Sequence, residues 1–277
     1  MLEILIFIKK ILLLIKNFLK KIKFFRILKK SYKEKINFLN KKFILYFFYP
    51  QEYDRFKKDR RKFNEMGGKI DEIREALIDF KSEAGVTKGH YFNQDLLVAN
   101  FIHIDNPKRH IDIGSRIDGF VAHVASFREI EVMDIRPLKP TKHKNIKFIQ
   151  KDFMLEENQL EKICDSVSSL HALEHFGLGR YNDQIDPDGH LKGFKNMVKM
   201  LTKGGKIYIS FPIGKKKIIF NQRRVFSPDE IIKWEKNIKL LRFDFVDDNG
   251  DLHTMSEFTQ TKELKYGCGI YTFIKTE

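Results

Sequence analysis

The chain has 277 residues, of which 42% are hydrophobic and 32% are charged, with only 16 glycines and 7 prolines. This composition excludes a disordered or collagen-like chain, and the length suffices for one or two packed domains. Taken alone, the net charge of +15 suggests nucleic-acid binding, but the charge is not evenly distributed along the chain. Residues 1–62 hold 19 Lys and Arg against 5 Asp and Glu, whereas the other 215 residues hold 33 against 32. The excess charge therefore belongs to an N-terminal segment, and the nearly neutral remainder argues against a nucleic-acid partner.

Residues 1–50 have the pattern of a basic amphipathic helical arm. At about 100° per residue, lysines of residues 1–22 collect on one face and Ile, Leu and Phe on the other. Within residues 1–25, the longest unbroken apolar runs, 4–8 and 11–15, are far shorter than the ~20 residues of a membrane span. Basic residues follow the apolar region, unlike the order in a secretory signal. We expect a peripheral, cytoplasmic-side association with an anionic membrane surface.

Two other interpretations of the arm stay open. It could pack on its own domain or on a partner helix, or it could bind RNA, because aromatic residues such as Phe24 and Phe47 alternate with lysines. Residues 51–89 carry mixed charges and are predicted to be a charged helical connector. The main domain is placed at residues 90–277.

Predicted strands and helices alternate from about residue 90, which indicates an α/β fold with a parallel sheet covered by helices on both faces. The predicted strands are 110–113, 131–134, 146–149, 165–169, 206–211, 240–246 and 269–274. The predicted helices are 95–104, 119–127, 156–163 and 190–202. Ser227 followed by Pro228 and Glu230 predicts a further helix that runs to about Lys239.

Polar residues stand at the ends of three successive predicted strands. Asp112 and Gly114 stand at the end of the first, Asp134 ends the second 20 residues after Gly114, and Asp152 follows the third. The first loop is not a P-loop, because Phe120 and Val121 follow Gly119 where Lys and Ser or Thr are required, and it lacks the G-x-G-x-x-G pattern of a dinucleotide fingerprint. A carboxylate after the second strand can accept both ribose hydroxyls of an adenosine-containing cofactor. Each Asp alone would be explained as a cap or turn residue, but together they favour a binding site.

These segments resemble a known superfamily. DIGSR, EVMDIRP, KDF, DSVSSLHALEHF and LTKGGKIYISFP are similar to motifs of class I S-adenosylmethionine-dependent methyltransferases, over about residues 90–277. GHYFNQDLL, DIGSRIDGFVAHV, LHALEHFGLGRYND and FNQRRVFS resemble an uncharacterised bacterial branch, described only as a domain of unknown function. The resemblance implies a Rossmann-like, mostly parallel sheet of seven strands, the last one antiparallel and formed through a hairpin.

The same resemblance implies S-adenosylmethionine as the cofactor. Its predicted contacts are Asp112, Gly114, Ser115 and Arg116 near the methionine end, Asp134 and Ile135 at the ribose, and Asp152 and Phe153 near adenine. Arg116 and Asp118 stand where the superfamily commonly has small residues. The arginine could close the approach of the cofactor, leaving an inactive scaffold tethered by the arm, or it could pair with a carboxylate. Tyr91, Gln94 and Asp95 stand where the superfamily often has a lid.

Titratable residues cluster after the fourth predicted strand. His171, Glu174 and His175 are candidates for the base that removes a proton from a hydroxyl acceptor. The alternative is a structural histidine bonded to the backbone. No metal is expected, because two histidines and one carboxylate are too few ligands for zinc. The candidate substrate residues are Arg180, Tyr181, Asp183, Asn221, Arg223 and Arg224, the arginines alternatively being surface residues of a loop.

The sequence therefore predicts a cytoplasmic, membrane-associated methyltransferase. A membrane arm would bring it to an amphiphilic acceptor, so we expect O-methylation of a sugar or a lipid-linked glycan. An RNA methyltransferase that uses the arm as a basic tether is the other catalytic alternative. Cys164 and Cys268 lie in or beside apolar runs and are expected to be buried thiols in a reducing compartment.

Overall fold

The computed structural model describes residues 48–155 and 161–277. Residues 1–47 of the predicted arm and residues 156–160 of the predicted helix at 156–163 lie outside the described residues. The chain divides into two compact units, Met1–Gly85 and Val86–Glu277.

In the first unit, the described residues form one long helix, α1 (Pro50–Glu65). Proline suits the first turn because its φ is already helical and its missing N–H would have no partner there. The helix buries none of its residues. Its surface carries ion pairs between residues one turn apart, such as Arg55 with Asp59 at 3.0 Å. Exposed pairs of this kind contribute less than about 1 kcal/mol each. Within the described residues, no helix is both long and apolar enough to cross a membrane.

The second unit is built on a sheet that contains eight strands within the described residues, in the order β3-β2-β1-β4-β5-β10-β8-β9. The strands are β1 (His110–Ile113), β2 (Ile130–Asp134), β3 (Ile146–Gln150), β4 (Cys164–Leu170), β5 (Leu201–Ile213), β8 (Ile238–Val246), β9 (Leu252–His253) and β10 (Gly267–Lys275). A separate hairpin consists of β6 (Lys217–Ile219) and β7 (Arg223–Val225). The helices are α2 (His90–Asp105), α3 (Ala122–Ala125) and α4 (Gly189–Met200), and one-turn 3-10 segments occur at Leu173–His175, Glu230–Lys233 and Phe258–Thr261.

The central strands are buried on both faces. All four residues of β1 are buried, and six of the seven residues of β4, as expected for parallel strands between two helical layers. One core packs α4, through Phe194 and Met197, against the sheet. The other packs α2, through Val98 and Ile102, against the opposite face. The order of β3, β2, β1, β4 and β5 is that of a doubly wound Rossmann-like sheet, so the predicted fold class is confirmed.

The last strand, β10, runs antiparallel between β5 and β8. An antiparallel final strand is what the resemblance implied. The sheet differs from the seven expected strands by β9, which pairs with the far edge of β8 through only two residues. Residues 247–266, which include β9, connect β8 to β10, and their first turn has Gly250 at a φ of +82°.

The helix predicted from Ser227 to about Lys239 is wrong. Only the 3-10 segment Glu230–Lys233 forms, and the strand β8 already begins at Ile238. Ser227 Oγ donates a hydrogen bond to Asp229 Oδ1 at 2.7 Å instead of capping backbone N–H groups. The ladder between β8 and β10 satisfies many more backbone groups than a short helix would, so the tertiary pairing overrides the local start signal.

Candidate active site

A cavity of about 910 Å³ lies at the carboxyl ends of β1, β2, β3 and β4. In an open α/β sheet this edge is where ligands bind. Most of the sequence-predicted site residues line it: Gly114, Ser115, Arg116, Asp134, Ile135, Asp152, Phe153, His171, Glu174, His175, Arg180, Tyr181, Asp183 and Arg223. Asp112, Asn221 and Arg224 do not.

Asp112 organises the first loop from below. Its carboxylate is fully buried and accepts hydrogen bonds from the backbone N–H of Ser115 at 3.0 Å and from the hydroxyls of Ser115 and Ser168, each at 2.6 Å. Burial raises the pKa of Asp112 to about 7, although the serine hydrogen bonds oppose the shift. Gly114 follows with a φ of +73°, and a Cβ there would lie 3.0 Å from the Cβ of Ala172. The tight turn therefore requires glycine.

Asp134 lines the cavity, and its carboxylate is paired with the guanidinium of Arg136. Its Oδ1 accepts from the backbone N–H and Nε of Arg136 at 2.8 and 2.9 Å, and its Oδ2 accepts from Nη2 at 2.5 Å. The guanidinium also lies 4.5 Å from the centre of the Tyr181 ring. A carboxylate offers about four lone-pair positions, so one position, on Oδ2, remains for a hydroxyl group. The sequence analysis missed Arg136, although it stands inside the EVMDIRP segment.

Arg116 lies at the rim of the cavity. Its guanidinium binds the carboxylate of Asp118 at 3.0 and 3.2 Å and lies 4.9 Å from the centre of the Tyr91 ring. Half of the Arg116 side chain is exposed. Of the three residues predicted as a lid, only Tyr91 lines the cavity, because Gln94 and Asp95 are buried in α2. The bulky arginine therefore pairs with a carboxylate and leaves the space beside it open.

Asp152 and Phe153 form the wall beyond β3. Asp152 Oδ1 accepts a hydrogen bond from the backbone N–H of Met154 at 2.9 Å, which fixes the turn. Phe153 is buried, and its carbonyl accepts a hydrogen bond from Asn196 Nδ2 at 2.9 Å. Helix α4 thus holds this apolar wall in place.

His171 begins the segment after β4 in a strained conformation. Its φ is +52°, a region that costs a non-glycine residue about 1–3 kcal/mol and that is found at functional sites. Its Nδ1 lies 2.8 Å from Glu174 Oε1, and its Nε2 lies 3.1 Å from Nδ1 of His90. Burial disfavours the charged form of His171, but the neighbouring Cys268 and Glu174 raise its pKa well above the usual value. Burial and the charge of His171 lower the pKa of His90 to about 4.

Glu174 joins the two predicted histidines. Its Oε1 also lies 3.6 Å from Nε2 of His175, whereas its buried Oε2 has no hydrogen-bond partner. Burial alone would raise the pKa of Glu174, but the charge and hydrogen bond of His171 lower it. The acid is therefore held as a carboxylate inside the protein.

The tautomer of His175 is set by a backbone carbonyl. Its Nδ1 lies 2.6 Å from the carbonyl oxygen of Gln222, and because a carbonyl can only accept, Nδ1 carries the proton. Its Nε2 is thus unprotonated, and Nη1 of Arg180 lies 3.5 Å from it. Burial, and to a smaller extent the charge of Arg180, lowers the pKa of His175. Arg180 Nη1 donates to the same carbonyl at 3.1 Å, so the imidazole is neutral and fixed in place.

Of the other predicted substrate residues, some line the cavity and form its wall, and others support the backbone around it and form its framework. Arg223 lines the cavity and donates a hydrogen bond to the hydroxyl of Tyr266. Asp183 accepts the backbone N–H groups of Gly177, Gly179 and Tyr181 at 2.8, 3.1 and 3.0 Å, so it shapes the loop although it also lines the cavity.

Arg224 and Asn221 belong to the framework. Arg224 is 3% exposed and donates to the carbonyls of Phe176 at 2.6 Å and Pro187 at 3.0 Å. Asn221 is exposed and forms the turn of the β6–β7 hairpin at a φ of +56°. Besides Arg136, the wall residues that the sequence analysis missed include His90, Gln222 and Tyr266. His90 and Gln222 lie within the quoted segments GHYFNQDLL and FNQRRVFS, but nothing in the sequence distinguishes them there.

Comparison with known proteins matches part of the chain to a family of unknown function. A family model described as a Caenorhabditis protein of unknown function, DUF268, matches residues 126–234, which is less than half of the chain. No curated protein sequence matches the chain.

Solved structures that are similar to the chain include three methyltransferases. The N-methyltransferase NodS from Bradyrhizobium japonicum WM9, in complex with S-adenosylhomocysteine, has 13% identity and a TM-score of 0.46 over 68% of this chain and 89% of its own. The Burkholderia thailandensis 1,6-didemethyltoxoflavin-N1-methyltransferase has 15% identity and a TM-score of 0.47, over 82% of this chain and 91% of its own. A putative sarcosine dimethylglycine methyltransferase from Galdieria sulphuraria has 15% identity and a TM-score of 0.49, over 79% of this chain and 98% of its own. The class of the protein is defined by its own strand order and cavity: a Rossmann-like α/β protein with a cavity at the carboxyl edge of its sheet.

Proposed function

We propose that the protein is an S-adenosylmethionine-dependent methyltransferase. The observation that supports this most is the convergence of the Gly114 turn, Asp134 and Asp152 on one cavity of about 910 Å³. That volume lies within the range of small-molecule and cofactor sites. S-adenosylmethionine carries a cationic sulfonium and no phosphate, and the cavity presents carboxylates instead of a glycine-rich phosphate cradle.

The residues present fit this cofactor. Asp134, whose side chain is 10% exposed, accepts three hydrogen bonds from Arg136 and keeps one acceptor position on Oδ2 for a ribose hydroxyl. The Gly114 turn brings backbone to the cavity, and Phe153 with Met133 supplies apolar wall for a flat ring. The inactive scaffold is disfavoured, because Arg116 pairs with Asp118 and does not fill the cavity.

When bound, the cofactor supplies an electrophilic methyl group to a nucleophile placed in line with the sulfonium. A hydroxyl acceptor must lose its proton as it attacks, and His175 is the proposed base because its Nε2 is unprotonated and its ring lines the cavity. Glu174, 3.6 Å from that nitrogen, stabilises the imidazolium that forms. Arg180 and Arg223 donate hydrogen bonds that hold the acceptor. The reaction proposed is therefore O-methylation.

The acceptor proposed is a sugar or a lipid-linked glycan. The end of the cavity near His175 carries the donors Arg180 and Arg223 together with the rings of Tyr181 and Tyr266. Arginine donors and tyrosine hydroxyls suit a ligand rich in hydroxyl groups. A basic amphipathic arm at residues 1–50 would bring the enzyme to such an acceptor at the inner face of a membrane.

The membrane part is tested by sedimentation with vesicles that contain anionic lipid. We expect the full chain to sediment with them and a chain lacking residues 1–50 to stay in the supernatant, with weaker binding at high salt. Equal binding of the two chains would contradict the role of the arm and leave the cofactor proposal untouched.

The cofactor part is tested by calorimetric titration with S-adenosylmethionine. We expect one molecule bound per chain and about 10- to 100-fold weaker binding by Asp134→Asn, because hydrogen bonds to a charged group contribute about 1.5–3 kcal/mol. Glu131→Gln is the matched control, since Glu131 lies on the same strand but pairs with Arg109 outside the cavity. Absence of heat with the intact protein would contradict the proposed function.

A further inference from the structure

Three metal-ligating side chains meet behind the wall of the cavity. Nitrogen atoms of His90 and His171 and the Sγ of Cys268 all lie within 4.8 Å of one another. The three residues come from the start of α2, the end of β4 and strand β10. Cys268 is completely buried, whereas both histidines line the cavity. The sheet therefore brings together ligands that lie far apart in the sequence.

Each histidine of the cluster directs one ring nitrogen at the other histidine. His171 directs Nδ1 at the carboxylate of Glu174 at 2.8 Å, so its Nε2 is the nitrogen that faces His90. This Nε2 lies 3.1 Å from Nδ1 of His90. The contact holds either a proton, which His171 donates to His90, or a cation that both nitrogens bind.

The surroundings favour a divalent cation over a single proton. Two imidazole nitrogens bound to one tetrahedral zinc at about 2.0–2.1 Å are about 3.3 Å apart, close to the distance seen here. The Cys268 thiol adds a soft ligand, and the buried Glu174 Oε2, which has no partner, adds negative charge beside it. A carboxylate that binds the far nitrogen of a ligating histidine is the common outer-shell arrangement of zinc sites.

We propose that His90, His171 and Cys268 form a three-ligand site for a thiophilic divalent cation of the Zn²⁺ type. Glu174 orients the imidazole of His171, and the ring of Tyr266 stacks on that of His90 with 5.4 Å between the ring centres. The fourth position faces the cavity, where water binds or, if the proposed function holds, the hydroxyl oxygen of the acceptor. Zinc was not expected at His171 and His175, which meet only through Glu174 Oε1, at 2.8 Å from His171 Nδ1 and 3.6 Å from His175 Nε2. In the proposed site His90, not His175, is the second histidine ligand.

The chain carries its own control for this site, because it contains only two cysteines. Both Cys164 and Cys268 are buried and free, but Cys164 lies at the start of β4, outside the cluster. Full-length protein is dialysed against Co²⁺, and the near-ultraviolet thiolate-to-cobalt absorption and the bound metal are measured. We expect one ion per chain and a thiolate band that Cys268→Ser abolishes and Cys164→Ser leaves unchanged.

A second variant covers the case in which Cys268→Ser does not fold. His90→Gln changes a half-buried side chain, and we expect it to weaken Zn²⁺ binding by more than about 10-fold. Absence of bound metal, a band that persists in Cys268→Ser, or unchanged affinity of His90→Gln would overturn the site, and a shared proton between the histidines would then explain their contact. Calorimetry with S-adenosylmethionine on the metal-free chain separates this result from failure of the proposed function.

Discussion

His175→Gln is expected to lower methyl transfer by about 10²- to 10⁴-fold, the usual contribution of a positioned general base. The glutamine keeps a polar group of similar length, but it cannot take the proton that the lone pair of His175 Nε2 accepts. The cofactor residues lie on other loops, so the affinity for S-adenosylmethionine should stay within about threefold of the wild type. The measurement is release of S-adenosylhomocysteine in the presence of a panel of sugars, with calorimetry for cofactor binding.

His123→Gln is the matched control for this experiment. His123 also directs Nδ1 at a backbone carbonyl, that of Gly119, at 2.7 Å, but it lies outside the cavity. We expect its activity to equal that of the wild type. A His175→Gln protein that binds the cofactor and retains full activity would show that another group removes the proton.

Asp112→Asn is expected to flatten the dependence of stability on pH. In the native chain, burial raises the pKa of Asp112 to about 7, whereas an unfolded aspartate has a pKa near 3.8. Between these values the folded chain holds a proton that the unfolded chain has lost, so the free energy of unfolding falls as the pH rises. At 1.36 kcal/mol per pKa unit, the decrease amounts to about 4 kcal/mol by pH 7. Urea unfolding at a series of pH values measures it.

The amide of the variant can replace the carboxylate without a new cavity. Its oxygen can accept from the backbone N–H of Ser115, while its NH₂ donates to the hydroxyls of Ser115 and Ser168, which can accept as well as donate. Asp165→Asn is the control, because Asp165 binds the backbone N–H groups of Lys108 and Arg109 at 2.8 Å outside the buried loop. A wild-type slope in Asp112→Asn would show that Asp112 is ionised in the native state.

The central strands could be predicted because burial on both faces requires short apolar runs, and β1 is a strand of the predicted length. The helix expected after Ser227 could not be excluded, because the competing strand β10 lies about 30 residues further along the chain. Capping residues show that a segment favours a helix in isolation, whereas the pairing of β8 with β10 makes part of this segment a strand.

The candidate site could be located but its residue roles could not. A carboxylate at a strand end has the same sequence signal whether it faces the cavity, as Asp134 does, or ties down a loop, as Asp112 does. Arg224 looks like a binding residue in sequence, yet its guanidinium satisfies backbone carbonyls inside the protein. The neighbours that decide these roles come from other strands, and the cluster of His90 with Cys268 depends on them entirely.

The position of β10 has a consequence for synthesis of the chain. Its two neighbours, β5 and β8, are both translated before it, and β10 must enter between them to complete the sheet. Until residues 267–275 leave the ribosome, the nascent chain has two unpaired strand edges and an open core, which is a hazard for aggregation. Strand β10 also carries Cys268, so metal could be captured only after this last insertion, and a bound ion would mark chains whose sheet is complete.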